Sequence, residues 1–159
     1  MTEKFKRKNN RLDISEYEKH HAYFLTLSCK NEQKAFIHRE RVEEYVTVLR
    51  ETANEFDMNV HAYCFMPDHL HLLVEGEELI DYVRKFKQIT GYRFRQNTDR
   101  KLWQKSYYDH VLRDEESIRD VAYYIFNNPV RADLVENFTD YPYSGSFEFD
   151  WNNMTNMEH

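Results

Sequence analysis

The feature that most constrains the fold is a pair of short β-rich stretches joined by a tight turn in the middle of the chain. Residues 59–66 and 69–75 are rich in β-branched, aromatic and aliphatic side chains, and only Pro67 and Asp68 separate them. Pro and Asp favour a chain reversal, so this spacing predicts an antiparallel hairpin. Because an isolated hairpin is at best marginally stable in water, we expect further strands and helices to pack around it.

Helical periodicity flanks this hairpin on both sides. Apolar residues recur at helical spacing over residues 39–56 and again over 77–95, with charged residues on the opposite side. Residues 21–30 and 102–112 predict two more strands, and residues 117–127 predict a third helix. The order β-α-β-β-α-β predicts an α+β protein of the ferredoxin-like arrangement: an antiparallel sheet with helices on one face and an added C-terminal helix.

Length and composition favour one folded domain. The chain has 159 residues, of which 41% are hydrophobic and 16% aromatic, which is too much ring surface for a disordered segment. We expect a flexible basic arm over residues 1–15, a folded domain over residues 16–145 and a polar tail over residues 146–159.

Membrane and disulfide-rich classes are excluded by short apolar runs and sparse cysteines. The longest apolar runs fall well short of the roughly 18 residues that span a bilayer, and the first ten residues, MTEKFKRKNN, lack an apolar signal core. Cys29 and Cys64 are isolated from each other, so neither a disulfide framework nor a CxxC metal site is predicted. We expect a cytoplasmic protein that does not bind membranes.

Positive charge is concentrated in one segment of an acidic chain. Residues 84–108, here called the basic segment, carry 8 Lys/Arg against 1 Asp/Glu, although the whole chain has a net charge of -6. Aromatic residues alternate with these cations, a mixture that suits a phosphate backbone beside stackable bases. A solvated helix face explains the charge equally well. The candidate DNA-binding residues are Arg93, Arg95, Lys101 and Lys105, together with Lys6, Arg7, Lys8 and Arg11 of the arm.

Two histidines alternate on the second predicted strand of the hairpin. Side chains two residues apart on a strand point to the same face, so His69 and His71 should lie side by side while Leu70 faces the other way. Two adjacent imidazoles can hold one divalent ion. Exposed histidines without a ligand remain the alternative, whereas two core histidines would each need partners for both ring nitrogens.

A tyrosine and an asparagine stand four residues apart in AYYIFNNPVRADLV, residues 122–135. On a helix, Tyr124 and Asn128 would lie one above the other, so that a phenol and an amide oxygen converge. Core packing of the ring and a capping role for Asn128 before Pro129 are the structural alternatives.

Together these segments resemble the REP-associated tyrosine transposases, relatives of the single-tyrosine insertion-sequence transposases that cut and rejoin single-stranded DNA. The segment MPDHLHLLVE resembles the HUH motif of this family, which is His, bulky hydrophobe, His. LWQKSYYDHVLRDEE and YYIFNNPVRADLV resemble its tryptophan-containing and tyrosine-containing blocks, and the likeness spans residues from about 20 to 145. Asp68, where the family often has Asn, and the net acidity are the two departures.

The resemblance implies a metal-dependent transposase whose C-terminal helix is catalytic. Tyr124 would be the nucleophile that forms a 5′-phosphotyrosine link, and His69, His71 and Asn128 would bind Mg²⁺ or Mn²⁺. The expected partner is single-stranded or hairpin DNA, handled by a monomer or a homodimer. Two other functions remain open on the residues alone: a non-catalytic single-stranded nucleic-acid-binding module, and a metal-dependent phosphoesterase that uses water.

Overall fold

The computed structural model describes residues 21–113 and 116–148. In chain order its strands and helices are β1 (His21–Ser28), α1 (Arg39–Phe56), β2 (Asn59–Met66), β3 (His69–Gly76), α2 (Leu79–Thr98), β4 (Tyr108–Val111), α3 (Ile118–Phe126), α4 (Asn128–Arg131) and β5 (Ser144–Gly145). The predicted element order and the α+β class are therefore confirmed.

The strands form one antiparallel sheet in the order β4-β1-β3-β2-β5. The first four follow the ferredoxin-like order, and the two-residue strand β5 extends the sheet beside β2. Strands β2 and β3 form the predicted hairpin, in which Met66 pairs with His69 across the Pro67-Asp68 turn. This turn places the first histidine at the very start of the central strand β3.

Helices cover both faces of the sheet, but not in equal number. Alternate residues of β1 divide between two apolar cores: Leu25 and Leu27 pack with α1 and α2, whereas Phe24 packs with α3. The C-terminal helix α3 therefore lies on the face opposite to α1 and α2, and Val121 and Ile125 are buried against the sheet. Among the described residues, no helix is long and apolar enough to cross a membrane.

The fourth strand is shorter than the sequence predicts. Residues 102–112 are expected to form a strand, but only Tyr108–Val111 does, and the preceding residues form an irregular loop. Trp103 makes a single bridge to Cys29. Its buried indole packs against Phe36 and donates from Nε1 to Thr90 Oγ1 at 2.9 Å. The segment is thus held by this isolated bridge and by the Trp103 side chain against α2, rather than by a continuous strand ladder.

The N-terminal arm lies outside the described residues, whereas Phe147 near the C-terminal end packs against the sheet. The arm residues Lys6, Arg7, Lys8 and Arg11 lie outside the described residues. At the other end, the Phe147 amide donates to Val60 O at 3.1 Å, and its ring lies 5.4 Å from that of Tyr63. Phe147 therefore packs against β2, and the domain bounds stay a prediction.

Candidate active site

The two histidines of β3 face each other on the α3 side of the sheet. The Nε2 atoms of His69 and His71 lie 3.2 Å apart, and their ring centroids lie 4.7 Å apart. Leu70 and Leu72 alternate with them and pack into the core under α1 and α2. Strand periodicity thus brings two imidazole nitrogens to one point beside the sheet.

Each histidine is oriented by a hydrogen bond at its other ring nitrogen. Asp68 Oδ1 lies 2.7 Å from Nδ1 of His69, and Thr26 Oγ1 lies 3.0 Å from Nδ1 of His71. Thr26 is the residue directly opposite His71 in the β1–β3 pairing. With Nδ1 engaged, the nitrogens that could bind a ligand are the two Nε2 atoms, which in this structure lie within hydrogen-bonding distance of each other.

The environment of His71 also favours the neutral imidazole that a metal requires. Burial, together with the nearby His69 and Arg131 charges, lowers the pKa of His71 to about 3. Loss of hydration penalises the imidazolium form, and positive neighbours penalise it further. His71 is therefore uncharged at neutral pH, which is the charge state in which an imidazole can bind a metal.

Tyr124 lies on the same side of the sheet as the histidines, and the Phe24 side chain contacts both Tyr124 and His71. The Phe24 ring centroid is 5.5 Å from that of His71 and 6.1 Å from that of Tyr124. Helix α3 is fixed there by its buried apolar residues and by Ser117, whose Oγ accepts from the Asp120 amide at 3.2 Å. Within one chain, Tyr124 and His71 therefore contact the same phenylalanine ring.

The segment that carries Tyr124 and Asn128 is not the single uniform helix that their spacing suggests. Helix α3 ends at Phe126, and the short helix α4 starts at Asn128, with Asn127 between them in a right-handed helical conformation. Pro129 near the start of α4 has no N–H for a helix ladder, which is a reason for the break. Asn127 occupies the N-cap position of α4 without a side-chain capping hydrogen bond, and Asn128 is the first residue of the helix, so the capping alternative for Asn128 is wrong.

The available ligands limit how a metal could be held. Within residues 21–113 and 116–148, no group of three or more His, Cys, Asp or Glu side chains is placed to bind an ion. A site here would therefore combine two imidazoles with an amide oxygen. Two nitrogens about 2.1 Å from one ion at a right angle stand about 3 Å apart. The 3.2 Å between the Nε2 atoms of His69 and His71 fits this requirement.

A residue that the sequence analysis does not single out lies against both Tyr124 and Asn128. The Arg131 guanidinium carbon is 3.9 Å from the centroid of the Tyr124 ring. Its Nη2 donates to the Tyr124 carbonyl at 2.8 Å and approaches Asn128 Oδ1 at 3.4 Å. The sequence spacing could have indicated Arg131. It lies three residues after Asn128 and seven after Tyr124, which corresponds to about one and two helical turns.

The basic segment is divided by the fold into two environments. Arg95, Lys101 and Lys105 line a groove of about 780 Å³ between α2 and the loop before β4. Tyr92, 64% exposed, also lines this groove. Arg93 instead donates from Nη1 to Glu44 Oε2 of α1 at 3.0 Å. Because α2 covers the face opposite to α3, the groove and the histidine pair lie on different sides of the sheet.

The comparisons with known proteins place this chain, with its antiparallel sheet and with the histidine pair and Tyr124 on one side of it, among the tyrosine transposases. More particularly, the family model described as "Transposase IS200 like" matches residues 17–128, and the chain belongs to that family. The matched range includes the histidine pair, Tyr124 and Asn128. The family resemblance is thus confirmed, and family membership favours an enzyme over a passive binding module.

Individual relatives support the same assignment. A Haemophilus influenzae protein named "Putative REP-associated tyrosine transposase" is 27% identical over 137 residues, covering 77% of each chain. The Escherichia coli K12 "REP-associated tyrosine transposase" is 22% identical and covers 87% of this chain and 91% of its own. A solved REP-associated tyrosine transposase bound to a REP hairpin has a TM-score of 0.68 at 18% identity, covering 86% of this chain and 81% of its own. That likeness confirms the fold.

Proposed function

We propose that this transposase cleaves single-stranded or hairpin DNA through a 5′-phosphotyrosine link to Tyr124. His69, His71 and Asn128 would hold a divalent ion, Mg²⁺ or Mn²⁺, beside it. The observation that carries the proposal is the meeting of two Nε2 atoms, 3.2 Å apart, on the side of the sheet where Phe24 contacts both His71 and Tyr124.

The three proposed ligands suit Mg²⁺ or Mn²⁺ because they do not fill the coordination sphere of the ion. Two imidazoles and one amide oxygen leave several coordination positions for phosphate and water, and imidazole favours Mn²⁺ over Mg²⁺ in affinity. When bound, such an ion neutralises a non-bridging phosphate oxygen and makes the phosphorus more electrophilic. Asp68 and Thr26 contact the Nδ1 atoms of the two histidines, so the Nε2 atoms are the nitrogens that would bind it.

The reaction at Tyr124 would be a reversible exchange of phosphate esters. A bond forms between Tyr124 Oη and phosphorus, and the bond between phosphorus and the 3′-oxygen of the preceding nucleotide breaks. The phenol proton leaves to solvent, and the 3′-oxygen takes up a proton. Because a phenolate is a better leaving group than an alkoxide, a free 3′-hydroxyl can reverse the step and join strands without an energy source.

DNA would also contact the protein away from the reacting phosphate. The relative solved with a REP hairpin motivates hairpin DNA as the substrate. In the groove, Arg95, Lys101 and Lys105 offer cations for phosphates, and exposed Tyr92 offers a stacking face for an unpaired base. The arm residues Lys6, Arg7, Lys8 and Arg11 would add further phosphate contacts. The protein would act as a monomer or a homodimer.

The test is the formation of a covalent protein–DNA adduct. Wild-type protein incubated with labelled hairpin oligonucleotide and Mn²⁺ should give a labelled band on a denaturing protein gel. Tyr124→Phe should bind DNA but give no band, because only the nucleophilic oxygen is lost. Tyr123→Phe is the matched control, since the Tyr123 ring packs against Phe138 at 5.9 Å. An adduct on Tyr124→Phe, or cleavage without any adduct, would contradict the proposal.

A further inference from the structure

Arg131 folds back over the junction between α3 and α4 and covers the proposed nucleophile. Its guanidinium carbon stands 3.9 Å from the centre of the Tyr124 ring, which is close for a cation stacked on an aromatic face. The hydrogen bond from Nη2 to the Tyr124 carbonyl, at 2.8 Å, fixes the guanidinium in this position. The positive charge of Arg131 is therefore held at a defined position over the Tyr124 ring.

The same guanidinium lies close to another proposed site residue. Its Nη2 is 3.4 Å from Oδ1 of Asn128, the proposed amide ligand of the metal. The Arg131 side chain is nevertheless exposed, so an approaching ligand can reach it. Both hydrogen bonds that the described residues give it come from Nη2. Nε and Nη1 therefore still have donors for another partner.

A phosphate is the ligand that such a group binds best. Guanidinium donors form a planar fork that matches two phosphate oxygens, and the charge strengthens each hydrogen bond. A DNA phosphate that reaches the Tyr124 side chain meets the Arg131 guanidinium, which is stacked on the Tyr124 ring. Negative charge on that phosphate grows as the new bond forms, so a fixed cation stabilises the transition state more than the ground state.

We propose that Arg131 is a catalytic residue that binds a non-bridging oxygen of the scissile phosphate beside Tyr124. This inference rests on the proposed role of Tyr124 as the nucleophile. Arg131 neither gives nor takes a proton in the step. It stabilises the phosphate while the bond from Tyr124 Oη forms and the bond to the 3′-oxygen breaks, and it acts equally on the reverse reaction.

The experiment compares two replacements that differ in charge. Arg131→Met keeps the length of the aliphatic stem without the cation, and Arg131→Lys keeps a cation without the fork. Arg119→Gln is the control for lost surface charge, since Arg119 is an exposed residue of the neighbouring helix α3. The rate of adduct formation is measured in single turnover at saturating hairpin DNA with Mn²⁺. DNA affinity is measured separately in a Tyr124→Phe background, where no cleavage interferes.

We expect Arg131→Met to slow adduct formation by about 100-fold, with a change in DNA affinity below about threefold. Arg131→Lys should recover part of the rate, and Arg119→Gln should behave as the wild type. Circular dichroism checks that each variant is folded. A purely structural role would show as a lowered melting temperature, with Met and Lys equally impaired, and would overturn the inference.

Two other results separate this inference from the proposed function. If the wild type forms the Tyr124 adduct and Arg131→Met forms it at the same rate, the proposed function stands and the role of Arg131 is wrong. A loss of affinity with an unchanged rate at saturation would make Arg131 an ordinary backbone contact, which also contradicts the inference. If the wild type forms no adduct, the role of Tyr124 fails first, and the inference that rests on it fails with it.

Discussion

Asp68 Oδ1 accepts a hydrogen bond from Nδ1 of His69 at 2.7 Å, so the residue that completes the hairpin turn also orients the first histidine. From the sequence, Asp68 is a turn residue and a departure from the Asn that members of the family often carry. In the structure its carboxylate fixes which nitrogen of His69 holds the proton. The turn and the proposed metal site are therefore coupled through one side chain.

This coupling predicts different effects for two replacements of Asp68. Asp68→Ala removes the acceptor and should weaken Mn²⁺ binding by about 10–100-fold, the usual cost of losing such a partner. Asp68→Asn keeps a carbonyl oxygen in reach of Nδ1 and should cost much less. Titration of free Mn²⁺, followed by its electron paramagnetic resonance signal, measures both. Equal affinity for Asp68→Ala and wild type would show that the hydrogen bond does not prepare the site.

The histidine pair itself is tested by removing each imidazole. His69→Ala and His71→Ala should each lower DNA cleavage by several orders of magnitude, whereas DNA binding should survive because phosphate contacts elsewhere supply most of the affinity. His61→Ala is a suitable control, because His61 pairs with Glu75 at 2.9 Å and is not part of the proposed site. Cleavage that continues at full rate in EDTA would contradict a metal-dependent reaction.

The amide of Asn128 is tested against that of its neighbour. Asn128→Ala removes the only oxygen in the proposed ligand set and should weaken Mn²⁺ binding by roughly tenfold or more. Asn127→Ala is the matched control, because the Asn127 side chain makes no capping hydrogen bond to α4. Isothermal titration calorimetry with Mn²⁺ compares the two. The ligand assignment would be wrong if both variants bound Mn²⁺ as the wild type does.

Local sequence patterns predicted the parts of the molecule that local geometry controls. The bounds of α1 and β2, the hairpin turn and the shared face of His69 and His71 follow from helical and strand periodicity. The bond between Thr26 and His71 depends on strand register between residues 45 positions apart, which no local pattern encodes. The same holds for the ion pair of Arg93 with Glu44, 49 positions away, where tertiary packing decides the partner.

Because only some cations of the basic segment line the groove, they should contribute unequally to the salt dependence of DNA binding. If about four to six cations touch phosphates, the logarithm of affinity for single strands should fall against the logarithm of salt concentration with a slope of roughly -3 to -4. Arg95 and Lys101 line the groove, so replacing both with Gln should flatten the slope by about 1 to 1.5. Arg93→Gln should change it much less, because the Arg93 guanidinium is held by Glu44.

Fluorescence anisotropy with a labelled oligonucleotide over a range of salt concentrations measures all three slopes. An unchanged slope and an unchanged preference among oligonucleotides in the double variant would mean that the groove does not hold DNA, whereas a larger effect of Arg93→Gln would mean that DNA displaces Glu44.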